Sequence, residues 1–482
     1  MHEERARITR NTIFIIGALV GQKLISFLYF TMIARGMSVE ETGRYFLAVS
    51  FTLLFSVLAD IGFSPFIVRE SAKLREGFSE TLRAILGAKL ICSGITFVAI
   101  LGTAYALPYP AITKELITIG AVSVIIESWH LLFYALLRGW QRLEFEAIGM
   151  VGAQAITLLF GAVAVFFFRS LHLLMFGLLV GNALNLLWAF IMVRRMRIPL
   201  GVSFTGKGMR VVLFAVVPFA LAAVFARVTG YIDGILVSLF APEKTVGLYS
   251  VPFKVTSAFQ FIPIAFSAAL LPAMSGFAKT SKDLLAKTFV RGSLYLLYIA
   301  LPIAFGIASI AERLIPAVFG VSYLDAVPTQ RLMIMSLIFV FLNFPVGALL
   351  VATNRQKLNT TFIGMAMATD IIINLIGIPR VGIMAPAIAS VVANALLFCC
   401  GIAVVTRSIT LPSHVLLHGA AKGLIAASIM TTALLLLKPF FNVFVLLPIG
   451  AIVYGAGLLL VRAVTVKEIY ETYSAFHSRV SS

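Results

Sequence analysis

Apolar blocks long enough to cross a bilayer recur fourteen times along this chain, and no other feature limits its folding so tightly. They lie near 11 to 34, 43 to 67, 83 to 107, 116 to 138, 145 to 168, 171 to 193, 213 to 239, 247 to 274, 284 to 308, 325 to 352, 358 to 378, 384 to 406, 414 to 437 and 441 to 462. Most hold about 20 to 25 residues, the length that spans about 30 Å of hydrocarbon at about 1.5 Å per residue. Composition agrees: 60% of residues are hydrophobic and 12% charged, with mean hydropathy +1.03, whereas soluble domains carry about 25% charged residues. The expected fold class is an all-α integral membrane protein of about fourteen transmembrane helices. Connections of mostly about 5 to 20 residues leave no room for a catalytic domain outside the membrane.

The net charge of +18 is distributed over successive loops instead of one patch, which argues against nucleic acid as a partner. It reads as a topology signal. About 25 Lys and Arg fall on the side of the N-terminus and about 8 on the other, which the positive-inside rule assigns to the cytoplasm. The inside set includes Arg5, Arg7 and Arg10; Arg69, Lys73, Arg75 and Arg83; Arg194, Arg195, Arg197, Lys207 and Arg210; and Lys279, Lys282, Lys287 and Arg291. Both termini are therefore expected inside, and the first span is expected to be retained as a helix. Cys92, Cys399 and Cys400 fall within apolar spans without a disulfide framework or metal-ligand spacing.

The sequence carries signs of an internal duplication. Gly43 and Tyr45 match Gly247 and Tyr249. Gln141, Arg142 and Leu143, then Ile148, Gly149 and Met150, match Gln356, Lys357 and Leu358, then Ile363, Gly364 and Met365. Asn182, Ala183 and Leu184 match Asn394, Ala395 and Leu396, so the offsets run from 204 to 215. The expected organisation is two parallel six-helix lobes, 1–205 and 206–408, followed by two further helices and a tail, 409–482. Repeats with an even helix count share one orientation and are related by an axis along the membrane normal, with a substrate site near their interface. Prolines concentrate in the second copy, at Pro218, Pro252, Pro263, Pro302, Pro345 and Pro386, against Pro65 in the first. They read equally as static kinks or as points where that lobe bends.

Ionisable residues at bilayer depth are costly and face a cavity or a partner. Lys23 lies mid-way along the first span and Arg227 mid-way along the seventh, 204 positions apart. With Lys254 in the eighth span they form a candidate cationic cavity suited to phosphate or pyrophosphate. The alternative is that they pair with carboxylates such as Asp60, Glu127, Asp233 or Asp370. Those four are also candidates for coupling to sodium or protons, with a hydrogen-bonded structural carboxyl as the competing explanation. Arg331 lies near an outer helix end, where it can snorkel. Asn182, Asn185, Asn343, Asn374 and His130 read chiefly as interhelical hydrogen-bonding groups. Gly201 to Gly208 has the Gly-Lys spacing of a phosphate loop but lacks the following Ser or Thr and a preceding strand. Asn359-Thr360-Thr361 matches a glycosylation acceptor but falls on the cytoplasmic side. No cofactor is expected.

Asp60-Ile61-Gly62 followed by Arg69, Glu70 and Ala72, the pair Asp233 with Gly247 and Tyr249, and Gln141-Arg142-Leu143 together resemble the bacterial and archaeal polysaccharide-biosynthesis flippases. These belong to the multidrug, oligosaccharidyl-lipid and polysaccharide exporter superfamily. The resemblance implies two six-helix lobes around a cationic cavity, in a plasma or inner membrane. It also implies transfer of a polyprenyl-phosphate or polyprenyl-pyrophosphate oligosaccharide to the outer leaflet by alternating access, without covalent chemistry. Implied partners are that lipid-linked sugar, membrane lipids, and glycan polymerases or transferases. The alternatives are a cation-coupled multidrug exporter of the same fold, a peptidoglycan-precursor flippase, and a membrane-embedded sugar polymerase or glycosyltransferase.

Overall fold

Backbone N–H and C=O groups have no water to bond in hydrocarbon, so a chain this apolar must satisfy them within each segment, as a helix does. The computed structural model follows this rule. It describes residues 2–71, 78–198, 200–204 and 206–464. Ala72, Lys73 and Arg75 lie outside the described residues, as do the side chains of Arg5, Arg7, Arg10, Lys207 and Pro218.

Sixteen α-helices are present among the described residues: α1 (His2–Gly36), α2 (Val39–Ala59), α3 (Phe63–Ser71), α4 (Phe78–Ala106), α5 (Ala111–Gly139), α6 (Leu143–Val163), α7 (Leu171–Arg195), α8 (Gly206–Phe240), α9 (Glu243–Ala258), α10 (Phe261–Thr280), α11 (Lys282–Phe319), α12 (Val327–Ala352), α13 (Gln356–Val381), α14 (Met384–Ser408), α15 (Ser413–Leu437) and α16 (Val443–Leu460). A π-helical turn, Ala164–Phe168, extends α6. Together they supply fourteen helical stretches long and apolar enough to span a membrane, so the chain is a multi-pass membrane protein.

The second span is not one continuous helix, as its hydropathy suggests. It stops at Ala59 and restarts at Phe63, with Gly62 at φ +102°. That conformation is strained for any residue with a Cβ. The eighth span is likewise divided, into α9 and α10, near Phe259 and Gln260. Elsewhere boundaries follow local chemistry. Ser38 caps α2 in a reciprocal pair with Glu41, and Ser170, Ser281 and Asn442 cap α7, α11 and α16.

Helix boundaries carry the duplication more clearly than residue identities do. α1 and α8 are both 35 residues long, with starts and ends 204 positions apart. The loop after α5 recurs after α12. Gln141 and Asn354 both adopt φ +58°, and the amides of Arg142 and Arg355 bond the carbonyls of Leu137 and Leu350 at 2.8 and 2.7 Å. This pairing is 213 positions apart, so the match of Gln141-Arg142-Leu143 with Gln356-Lys357-Leu358 is displaced by two residues. The backbone sets Arg142 opposite Arg355. α7 and α14 also start and end 213 positions apart, which sets Asn182 opposite Ala395 instead of Asn394. Short identities slip easily within helices of similar composition; a left-handed turn residue cannot.

The chain divides into two compact units, 1–250 and 251–482, which meet within α9. A core of the first unit joins α3, α4, α5, α7 and the start of α8 through Phe63, Ile67, Ile85, Leu136, Val193 and Val216. In the second, α10, α11, α12 and α14 share one core around Met274, Phe289 and Leu349. There α15 and α16 dock on α11, where Gly419 and Gly423 let Tyr298 and Leu301 approach closely, as small residues permit between helices in lipid.

Candidate functional site

The register of 204 places Lys23 and Arg227 at the same height of α1 and α8. Their surroundings differ. Lys23 is exposed and forms no ion pair among the described residues. Arg227 is half-buried, one turn before Tyr231 on α8, and lies within electrostatic reach of Glu127 on α5. Glu127 is half-buried and makes no contact with Arg227 inside 4.0 Å. Of the two readings open for Arg227, a neighbouring carboxylate is therefore present without a salt bridge to it. Lys254 belongs to the second unit, half-buried on α9, where its carbonyl accepts from the Ser257 hydroxyl at 3.3 Å.

Each coupling candidate has surroundings of its own. Asp60 fills the break between α2 and α3. Its carboxylate accepts from the Ser64 amide at 3.3 Å and hydroxyl at 2.7 Å, and pairs with Lys89 of α4 at 3.4 Å. Lys89 is fully buried, with its ammonium 5.9 Å from the Phe63 ring centroid. Asp60 thus holds the N-terminus of α3, and Lys89 neutralises it. Asp233 is buried and accepts from the Tyr249 hydroxyl at 3.2 Å. Asp370 is buried on α13, where Asn374 one turn along donates to it at 3.5 Å. Among the described residues no three His, Cys, Asp or Glu side chains form a metal-binding group.

Three of the amides expected as glue, Asn182, Asn185 and Asn343, bond between helices. Asn182 donates to Ser123 at 3.0 Å, Asn343 to the Asn394 carbonyl at 3.2 Å, and Asn185 accepts from the Tyr134 hydroxyl. Gly149 makes room for that bond, since a Cβ there would meet Tyr134, Asn185 and Trp188. His130 is buried edge-on to Tyr134, their ring centroids 5.6 Å apart. Arg331 of α12 pairs with Glu312 of α11 at 2.5 Å, and Lys438, just after α15, pairs with the other oxygen of the same carboxylate.

Two features escape a reading of charges alone. Lys89 sits inside the third apolar span, where its cation was visible in the sequence but close enough to the basic end to pass as a boundary residue. The other is the crossing of α2 and α9. Gly43 and Gly247 lie against each other's helices: a Cβ on Gly43 would meet the Glu243 carbonyl and, at 2.7 Å, the Gly247 nitrogen, while one on Gly247 would meet Val39. Tyr45 and Tyr249 repeat the relation. The Tyr45 hydroxyl bonds that of Tyr29 at 3.4 Å, and Tyr249 bonds Asp233, each partner sixteen residues earlier. The repeated Gly-x-Tyr signal is therefore the imprint of a pseudo-twofold helix crossing. Beside it, Arg44 meets Glu243 at 2.5 Å and Glu40 at 2.6 Å, and Thr113 donates to Glu243 at 2.7 Å.

A family model described as polysaccharide biosynthesis protein matches residues 8–278. An uncharacterized membrane protein of Methanocaldococcus jannaschii is 26% identical over 166 residues, 34% of this chain and 33% of that protein, so the match spans about a third of its length. Among solved structures, the lipid II flippase MurJ in an inward closed conformation superposes with TM-score 0.76 at 16% identity, covering 93% of this chain and 99% of that one. An inward-facing multidrug resistance MATE family transporter of the MOP superfamily gives 0.63 at 12% identity, covering 80% and 95%. A MOP superfamily transporter from Pyrococcus furiosus, with a binding pocket described as of reverse polarity, gives 0.58 at 13% identity, covering 82% and 95%. These likenesses establish the fold.

Proposed function

The chain belongs to the polysaccharide biosynthesis protein family, and from that premise we propose that it flips a polyprenyl-phosphate- or polyprenyl-pyrophosphate-linked oligosaccharide from the cytoplasmic to the outer leaflet of the cell membrane. The observation that carries the substrate class is the pair of cations Lys23 and Arg227 at one height of the duplicated first helix. A cation at bilayer depth is costly unless it serves a partner, and a guanidinium recognises phosphate through paired hydrogen bonds. Lys254 of the second unit is the third cation proposed for phosphate recognition.

In this reading the lobes are 1–205 and 206–408, with 409–482 outside the duplication. Both termini lie in the cytoplasm, and transport proceeds by alternating access without covalent chemistry. Asp233 and Asp370 are the carboxylates proposed for sodium or proton coupling; Asp60, already neutralised by Lys89, is better suited to holding the α2–α3 break. The sugar is passed on to polymerases or transferases at the outer face. A multidrug exporter of this fold would meet cationic drugs with an acidic cavity, which Lys23 and Arg227 oppose.

The test is ligand stabilisation of the purified protein. Polyprenyl pyrophosphate is expected to raise its unfolding temperature and uncharged polyprenol to leave it unchanged. In Arg227→Gln the phosphate-dependent rise is expected to fall by more than half. Equal stabilisation by both lipids in wild type, or an undiminished rise in Arg227→Gln, rejects a cationic phosphate site.

A further inference from the structure

The loops at residues 36–38, 107–110 and 241–242 emerge at one end of the first unit, the end that the charge distribution assigns to the outside. There the ends of α2, α5, α8 and α9 are bound by polar contacts with no part in recognising a headgroup. Both oxygens of the Glu243 carboxylate are engaged: one takes the Arg44 Nε–H of α2, the other the Thr113 hydroxyl of α5. Glu40, one turn before Arg44, holds the far side of the same guanidinium. Tyr109 adds a bond to Ser238 of α8 at 2.9 Å and an edge contact to Phe51 of α2. Phe46 stacks edge-on to Tyr249.

We infer that these contacts form a latch that holds this end of the bundle shut, with Glu243 as its hub, and that opening toward the outside proceeds by breaking them. The inference rests on the alternating-access reading. Three observations carry it. First, a single carboxylate ties three helices, so loss of one side chain removes a contact from α2, α5 and α9 together. Second, the crossing beneath it is glycine on backbone at Gly43 and Gly247. The backbones meet there without an intervening side chain, so the polar contacts at the rim share the holding energy with the edge contact of Phe46 and Tyr249. Third, Arg44 and Glu243 keep 22% and 17% of their side-chain surface accessible. Water hydrates both as they part, which keeps the step reversible, unlike rupture of a fully buried pair.

The latch also breaks the internal symmetry. The residue in the register of Glu243 in the first copy is Val39, and that of Arg44 in the second is Leu248. The pseudo-twofold that repeats the glycines and tyrosines does not repeat the ion pair. One charge contact per molecule, not two, must open in each cycle.

The test is a distance measurement that needs no substrate, so its failure is separable from failure of the flippase reading. Nitroxides are placed at Ala111→Cys and Lys244→Cys, both exposed positions beside Thr113 and Glu243, in full-length protein lacking Cys92, Cys399 and Cys400 and reconstituted in liposomes. Wild type is expected to give one predominant short distance. Arg44→Glu and Glu243→Arg are each expected to raise the long-distance population relative to the short by about tenfold, the scale of a lost charged hydrogen bond. The double reversal is expected to restore the short distance, because Arg at 243 meets Glu at 44 and Glu40. Thr113→Val is expected to shift the ratio less. Should either reversal fold poorly, Arg44→Gln and Glu243→Gln replace them. Single variants with the wild-type distribution, or a double variant that stays open, overturn the latch.

Discussion

Removing the Lys89 ammonium while keeping its stem, as Lys89→Met does, probes how the broken second span is held. The pair it makes with Asp60 joins a fully buried cation to a carboxylate with 21% of its side chain accessible. Deleting one partner of a buried pair costs about 3 to 5 kcal/mol, because the other charge is left uncompensated. Asp60 keeps its two Ser64 contacts and some solvent, which reduces this to about 2 kcal/mol. Loss of the contact with the Phe63 ring adds about 0.5 kcal/mol. The expected destabilisation of Lys89→Met is therefore about 2 to 3 kcal/mol, measured by reversible unfolding in mixed micelles. Asn at position 60 can still accept from Ser64, so Lys89→Met with Asp60→Asn is expected to recover at least half of the loss. If Lys89→Met is neutral, or the double variant is as unstable as the sum of the singles, the pair does not hold the break.

Other consequences follow from close approaches and single hydrogen bonds. Gly43→Ala places a methyl against the α9 backbone, which cannot yield as a side chain would; it is expected to cost at least about 2 kcal/mol in the same unfolding measurement. Gly149→Ala displaces the Tyr134 hydroxyl from Asn185, and a loss of about 1 to 3 kcal/mol is expected, smaller in a Tyr134→Phe background, where only the approaches to Asn185 and Trp188 remain. Tyr249→Phe leaves Asp233 without the hydroxyl at 3.2 Å and is expected to destabilise by about 1 kcal/mol, whereas Tyr45→Phe, which interrupts a longer bond between two phenols, is expected to cost less.

Length and hydropathy were enough to place all fourteen spans, because a helix that crosses lipid has little freedom in either. Division of the second span was hidden, since Asp60-Ile61-Gly62 sits within an apolar run whose average does not register one bend. Residue identities pair the loop after α12 with the loop after α5 at an offset two positions too long; the shared φ of Gln141 and Asn354 sets it at 213. The charged groups of the candidate site were legible as charges but not as pairings. Sequence spacing could not tell that Asp60 belongs to Lys89, or that Asp233 belongs to Tyr249, because those partners lie on other helices. The latch was the least legible. Arg44 and Glu243 are 199 residues apart, and both lie in the first two turns of their helices, where charges are common.

Transfer of a fluorescent polyprenyl-pyrophosphate oligosaccharide across reconstituted vesicles tests the central claim most directly. Wild type is expected to move the lipid-linked sugar and to leave an uncharged polyprenyl analogue behind, while Lys23→Ala and Arg227→Ala, folded and inserted normally, are expected to lose at least about tenfold in rate, the scale of a charged contact to phosphate. Full transfer by both variants, or no transfer by wild type, would contradict a flippase that grips its substrate through cations matched across the duplication.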